Sequence, residues 1–275
     1  MANPASAADT AARQQIVART DAKGDVRIAV TIRGTGPLVV LVPSLGRGGA
    51  DFDDLATRLA AAGYEAAAID PRGVGDSTGP MEGVTLADYA ADVASVARAL
   101  SPKPAVLVGH AFGNRVARAT AAAHPGDVSA LVLLAAGGQV APAPDVSKAL
   151  RDVFDTALSP DQHLAAVQKA FFAPGADPTV WLSGWYPAVM RAQGAALRAT
   201  GTETWVGAGQ ADILVVQAED DLVAPPANAE ALAKAYPDRV KVVLLPHAGH
   251  AMLPEQPKAI ADIVIGFLSH REASR

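Results

Sequence analysis

From residue 26 to residue 135, short continuous apolar runs alternate with stretches whose apolar positions recur every three or four residues. The runs at 26–32, 38–42, 66–69, 105–108 and 130–134 predict strands. The stretches 52–62, 86–100 and 112–123, each closed by Gly, Pro or a polar break, predict helices. Strands that are apolar on both faces belong to a parallel sheet with helices packed on either side. The rhythm resumes at 213–217, 226–236, 241–245 and 257–269, so the sheet is interrupted over 138–210.

The interruption opens with a flexible-looking run, Gly137-Gly138-Gln139-Val140-Ala141-Pro142-Ala143-Pro144, and then reads mostly helical, with breaks near Pro160, Pro174 and Pro178. It holds all three tryptophans, together with Phe154, Phe171, Phe172 and Tyr186. A helical insertion over the carboxyl edge of a parallel sheet covers the place where open α/β folds bind ligands. Most of these aromatics are expected to form the core of the insertion. Trp181, Trp185 and Tyr186 are the candidates for lining a pocket, the two tryptophans standing one helical turn apart. Arg151, Arg191 and Arg198 could bind a substrate carboxylate or could sit on solvated helix faces. The division expected is a tail over 1–15, a core over 16–137 and 211–275, and a lid over 138–210.

Composition narrows the function. At 275 residues and 50% hydrophobic content the chain can bury a large core, and a formal net charge of −5 offers no field for nucleic acid or anionic membrane. The absence of cysteine excludes disulfides and thiolate metal sites. No leader pattern opens the chain and no apolar run approaches a membrane span. A cytoplasmic protein with a small-molecule partner is expected, with no nucleic-acid or membrane partner. His247 and His250 have the spacing of a metal pair but lack a third ligand, so neither metal nor cofactor is expected.

The chemistry centres on Gly109-His110-Ala111-Phe112-Gly113, between a predicted strand and a predicted helix. It has the shape of a nucleophile elbow, G-x-S-x-G, with alanine where the serine stands. Three further stretches follow that pattern in order. Pro43-Ser44-Leu45-Gly46 ends the strand over 38–42. Asp70-Pro71-Arg72-Gly73-Val74-Gly75-Asp76-Ser77 matches a D-x-R-G-x-G-x-S turn, in which Arg72 is read as tying loops together. Ala218-Glu219-Asp220-Asp221 and His247-Ala248-Gly249-His250 close the two late strands. Together they resemble the α/β-hydrolase superfamily over about residues 26–270, and within it the esterase- and lactonase-like members, enol-lactone hydrolases and non-haem haloperoxidase-like esterases. The resemblance implies an eight-stranded, mostly parallel sheet with a helical lid after the sixth strand. It also implies a triad at Ala111 (the nucleophile position), Asp221 and His250, and an oxyanion hole from the backbone N–H groups of Leu45 and Phe112. Ser44 and His110 are further pocket candidates.

Such a set divides labour. A neutral imidazole takes the serine proton, a buried carboxylate fixes the imidazole tautomer, and two amides receive the oxyanion. Alanine cannot attack, and losing the serine costs about 10⁶ in turnover. Because the elbow apex is strained and alanine does nothing to relieve it, the sequence is read as a serine-to-alanine inactivated ester or lactone hydrolase. The alternatives are a natural serine-less member that uses its His–Asp pair as a cofactor-free oxygenase, or a small-molecule receptor without turnover.

Overall fold

The structure is a computed structural model, described here over residues 11–273. In chain order its regular elements begin with β1 (Arg13–Asp21), β2 (Gly24–Arg33), β3 (Leu38–Val42), α1 (Asp53–Ala61), β4 (Glu65–Ile69) and α2 (Leu86–Leu100). They continue with β5 (Ala105–His110), α3 (Phe112–Ala123) and β6 (Val128–Leu134). After α4 (Pro144–Asp152), α5 (Pro160–Phe171) and α6 (Pro187–Arg198), the sheet resumes with β7 (Asp212–Ala218), α7 (Ala227–Ala235) and β8 (Val240–Leu245). The short α8 (Met252–Glu255) and α9 (Pro257–Ala273) complete the set.

The described residues form one eight-stranded sheet in the order β1-β2-β4-β3-β5-β6-β7-β8. The β1–β2 and β2–β4 pairs are antiparallel, and every pair from β4–β3 to β7–β8 is parallel. Alternate residues of each strand supply opposite cores: Val40 and Val42 pack towards α2 and α3, whereas Val39 and Leu41 pack towards α1 and α9. This double burial explains the continuous apolar runs.

The chain leaves β3 for β4 on one side and returns to β5 on the other. That reversal makes the carboxyl ends of β3 and β5 the switch point where open α/β sheets form a ligand crevice. The segments after β3, β5, β6, β7 and β8 all emerge at this edge.

Two differences from the sequence expectation concern its ends and its insertion. Of the expected tail over 1–15, residues 1–10 lie outside the described residues, and Arg13–Gln15 belong to β1. This strand escaped notice because it is an edge strand in which Val17 alone is buried, so it carries no apolar period. Within the insertion, Trp181 ends a 3-10 turn and the chain then leaves helical geometry until Pro187, so Trp181 and Trp185 do not share a helix face. They meet edge to face, with ring centroids 5.7 Å apart. Phe154, Phe171, Phe172 and Trp181 form the insertion's own core with Val153 and Val167. No described helix is long and apolar enough to cross a membrane.

Arg72 is fully buried behind the sheet's switch point. Its Nε and Nη2 donate to the two oxygens of Asp92 at 2.7 and 3.0 Å, and its Nη1 donates to the carbonyl of Pro80 at 3.0 Å. The guanidinium thereby joins α2 to the turn after β4. Truncating Asp92 strands a buried cation, so Asp92→Ala is expected to cost about 3–5 kcal/mol in chemical denaturation. A loss below about 1 kcal/mol would show that the pair does not hold these elements together.

Candidate active site

The elbow after β5 is built by close backbone contact. A Cβ on Gly109 would stand 2.4 Å from the carbonyl oxygen of Gly113, and one on Gly113 would stand 2.0 Å from that of Val42. Only glycine permits either approach. Between them Ala111 adopts φ 51° and ψ −108°, a conformation that L-residues avoid, and its N–H donates to the Leu134 carbonyl at 3.0 Å. Phe112 begins α3, so its N–H is one of the helix's first, without an intrahelical acceptor.

Asp221 lies just past β7, and 2% of its surface is exposed. Its Oδ1 accepts from the N–H groups of Val223 and Ala224 at 2.9 and 2.7 Å, and its Oδ2 accepts from Gln217 Nε2 at 3.3 Å. Gln217 is in turn fixed by the N–H of Ala136 and the carbonyl of Ala224. Into this cradle His250 Nδ1 donates, 3.0 and 2.9 Å from the two carboxylate oxygens. A ring that donates through Nδ1 leaves Nε2 as its basic nitrogen.

The loop bearing His250 is pinned from below. Glu255 accepts from the N–H of Gly249 and, in the insertion, from that of Ala173, both at 2.7 Å. Burial pushes this carboxyl up from its ordinary value, and the two amides oppose the rise. Gly249 is needed here because a Cβ would fall 2.6 Å from the carbonyl oxygen of Phe171.

Ala111, Phe112, Leu45, Ser44 and His250 line one cavity of about 240 Å³ at the switch point. The rest of its wall is mostly apolar, including Leu150, Phe171, Leu197 and Val223, and it contains Arg115. Asp221 lies behind His250 and reaches the cavity only through it. Gly46, next to Leu45, is gripped by the insertion: Gln193 Oε1 accepts from the Gly46 N–H at 2.8 Å, and the Tyr186 N–H donates to the Gly46 carbonyl at 2.9 Å.

The other pocket candidates lie elsewhere. His110 is wholly buried beneath the elbow and donates through Nε2 to the His250 carbonyl at 2.8 Å. Trp181 and Trp185 instead flank the buried Arg47, whose guanidinium carbon lies 4.5 and 4.4 Å from their ring centroids, and Tyr186 contributes its backbone to the Gly46 clamp. Arg151, Arg191 and Arg198 are exposed and do not line the cavity. Sequence reasoning missed Gln193, Gln217, Glu255 and Arg115. Among the described residues no group of three or more His, Asp or Glu side chains is placed to hold a metal ion.

With this geometry in place, comparison with known proteins gives its class. The model of the alpha/beta hydrolase fold family matches residues 37–257, and the chain belongs to that family. A Variovorax paradoxus protein, provisionally named carbamate hydrolase RutD, is 31% identical over 86% of this chain and 94% of its own. The 2-(acetamidomethylene)succinate hydrolase of Mesorhizobium japonicum is 35% identical over 46% of this chain and 45% of its own. Among solved structures, the esterase RhEst1 of Rhodococcus sp. superposes with a TM-score of 0.78 at 22% identity, covering 94% of this chain and 98% of that one.

Burial, with His250 and Arg47 nearby, lowers the pKa of His110 to about 3 from an ordinary value of 6.5. Below pH 6.5 the unfolded chain therefore takes up a proton that the folded chain refuses. This contribution to stability is whole above pH 6.5 and declines as the pH falls towards 3. The decline is expected to reach about 1.4 kcal/mol per pH unit. In urea titrations from pH 7 to 4.5, His110→Gln should flatten the stability profile by that slope; parallel profiles would show that His110 is not the titrating group.

Proposed function

We propose that the chain carries the machinery of a carboxylic ester or lactone hydrolase, held inactive because position 111 lacks a hydroxyl. The observation that carries this reading is the His250–Asp221 pair, whose imidazole lines the same small cavity as Ala111, Leu45 and Phe112. The family relationship supports hydrolysis as the reaction class. The apolar cavity wall supports a small acyl or cyclic substrate.

With serine at 111, the site works by acyl transfer. His250 Nε2 accepts the hydroxyl proton as Oγ attacks the substrate carbonyl, and Asp221 steadies the imidazolium through Nδ1. The N–H groups of Leu45 and Phe112 receive the oxyanion, and the dipole of α3 adds to that field. His250 then returns the proton to the leaving alkoxide. A water deprotonated by the same nitrogen releases the acid. The insertion over 138–210 acts as the lid, and its Gln193 and Tyr186 hold the Leu45–Gly46 turn in register. With alanine at 111 the first step has no nucleophile.

Ala111→Ser adds one oxygen to an existing Cβ. It is expected to raise hydrolysis of short 4-nitrophenyl esters or of a small lactone by at least about 10³-fold. The double variant Ala111→Ser with His250→Ala should lose that gain. A folded Ala111→Ser protein no faster than the alanine form on any of these substrates would overturn the reading. Gln193→Ala in the serine form is expected to lower kcat about 10-fold with little change in KM, since it loosens an oxyanion donor rather than the ground-state contacts.

A further inference from the structure

Among the described residues, each arginine withdrawn from solvent has an anionic or carbonyl acceptor, with one exception. Arg19, Arg33, Arg47, Arg72 and Arg271 pair with carboxylates. Arg239 donates to the carbonyls of Ala211 and Gly207, and Arg118 to Asn114 Oδ1 and the Gly137 carbonyl. Arg115 has none of these. The contact recorded for its guanidinium is with the face of Trp205, 5.9 Å from the ring centroid.

Arg115 also lines the cavity that holds Ala111, and no carboxylate shares that wall. Its Nη2 lies 3.5 Å from where a Cβ on Gly137 would stand, and Gly137 is itself part of the lining. Arg118 is buried three residues further along α3, outside the cavity wall and also without a carboxylate partner, so it adds positive charge behind Arg115. Burial lowers the pKa of both, and Arg115 adds to the fall at Arg118. Arg115 is half-buried, and a guanidinium partly withdrawn from water without a counter-charge is stabilised by an anion brought to it.

We infer that Arg115 is a specificity residue that binds a carboxylate on the substrate, so that the preferred ester or lactone is a small acid bearing a second, free carboxyl group. The inference rests on reading the cavity as the acyl pocket. Position 115 lies one helical turn past position 111, about 6 Å along the helix axis. A side chain rooted so near the reacting position matches a short diacid, and an acyl chain with two or three carbons between the reacting carbonyl and the free carboxylate is the natural probe. The planar fork of arginine matches a carboxylate with paired N–H donors. A cavity of about 240 Å³ admits such a molecule.

The test compares monoethyl succinate with ethyl levulinate, a neutral near-isostere in which a methyl ketone replaces the carboxylate. Calorimetry on the unaltered alanine protein is expected to show at least about 10-fold tighter binding of monoethyl succinate, weakened by salt. Equal binding of the two esters would overturn the inference without recourse to any variant. Arg115→Met should abolish the preference, and Arg115→Lys should restore part of it. Inorganic phosphate competing as well as succinate would overturn the carboxylate assignment.

In the Ala111→Ser form, kcat/KM should favour monoethyl succinate about 30-fold, and Arg115→Met should collapse that ratio. Arg115-dependent binding with no turnover by the serine form would sink the hydrolase reading and leave the carboxylate site standing. Turnover of both esters with no Arg115-dependent preference would do the reverse.

Discussion

The whole site hangs from the place where α3 meets the backbone of β3. At Gly113 the helix comes so near the Val42 carbonyl that a side chain would have no room. That closeness, repeated at Gly109 against Gly113 itself, forces the turn between them into a backbone conformation that costs roughly 1–3 kcal/mol. What the strain provides is direction. Ala111, the start of α3 and the turn that ends β3 line one cavity above the sheet, and their backbone is rigid because no side-chain rotamer lies between them.

The second constraint comes from the insertion, which is bound to the core on both sides of the cavity. Gln193 and Tyr186 hold the Gly46 peptide by its N–H and its carbonyl. Glu255 holds Gly249 and Ala173 together, and Ala251 donates to the Phe171 carbonyl at 2.7 Å. Asn228 receives the amides of Gln139 and Val140 with its side-chain oxygen, so even the Gly- and Pro-rich run entering the insertion is tied to the core. The loops that carry Gly46 and His250 thus share hydrogen bonds with the insertion.

How far the sequence could be read depended on whether a signal was local. The elbow glycines, Asp221 and His250 belong to short patterns beside strand ends, and the structure brings those positions together. Seven strands, β2 to β8, followed from apolar runs that burial on two faces imposes, whereas the edge strand β1, with Val17 alone buried, was legible only through the family resemblance. Gln193 was illegible because its partner lies 147 positions away and nothing near it in sequence marks the contact. Trp181 and Trp185 misled because a spacing of four suggests a helix face only where the helix continues, and here it stops at Trp181. Arg115 was hidden for another reason: what distinguishes it is the lack of acids around it, a property of the folded cavity and of no sequence window. The exposed arginines 151, 191 and 198 drew attention only because they fall in the insertion.

The tense backbone at Ala111 has an evolutionary corollary. Every alanine codon is a single base change from a serine codon, and the turn already holds its apex residue at φ 51° and ψ −108°. A serine at this position therefore requires no compensating change in the elbow backbone, and ordinary mutation will generate it repeatedly in any large population that carries the gene. An alanine that persists in a lineage under those conditions would have to be maintained by selection against the added oxygen.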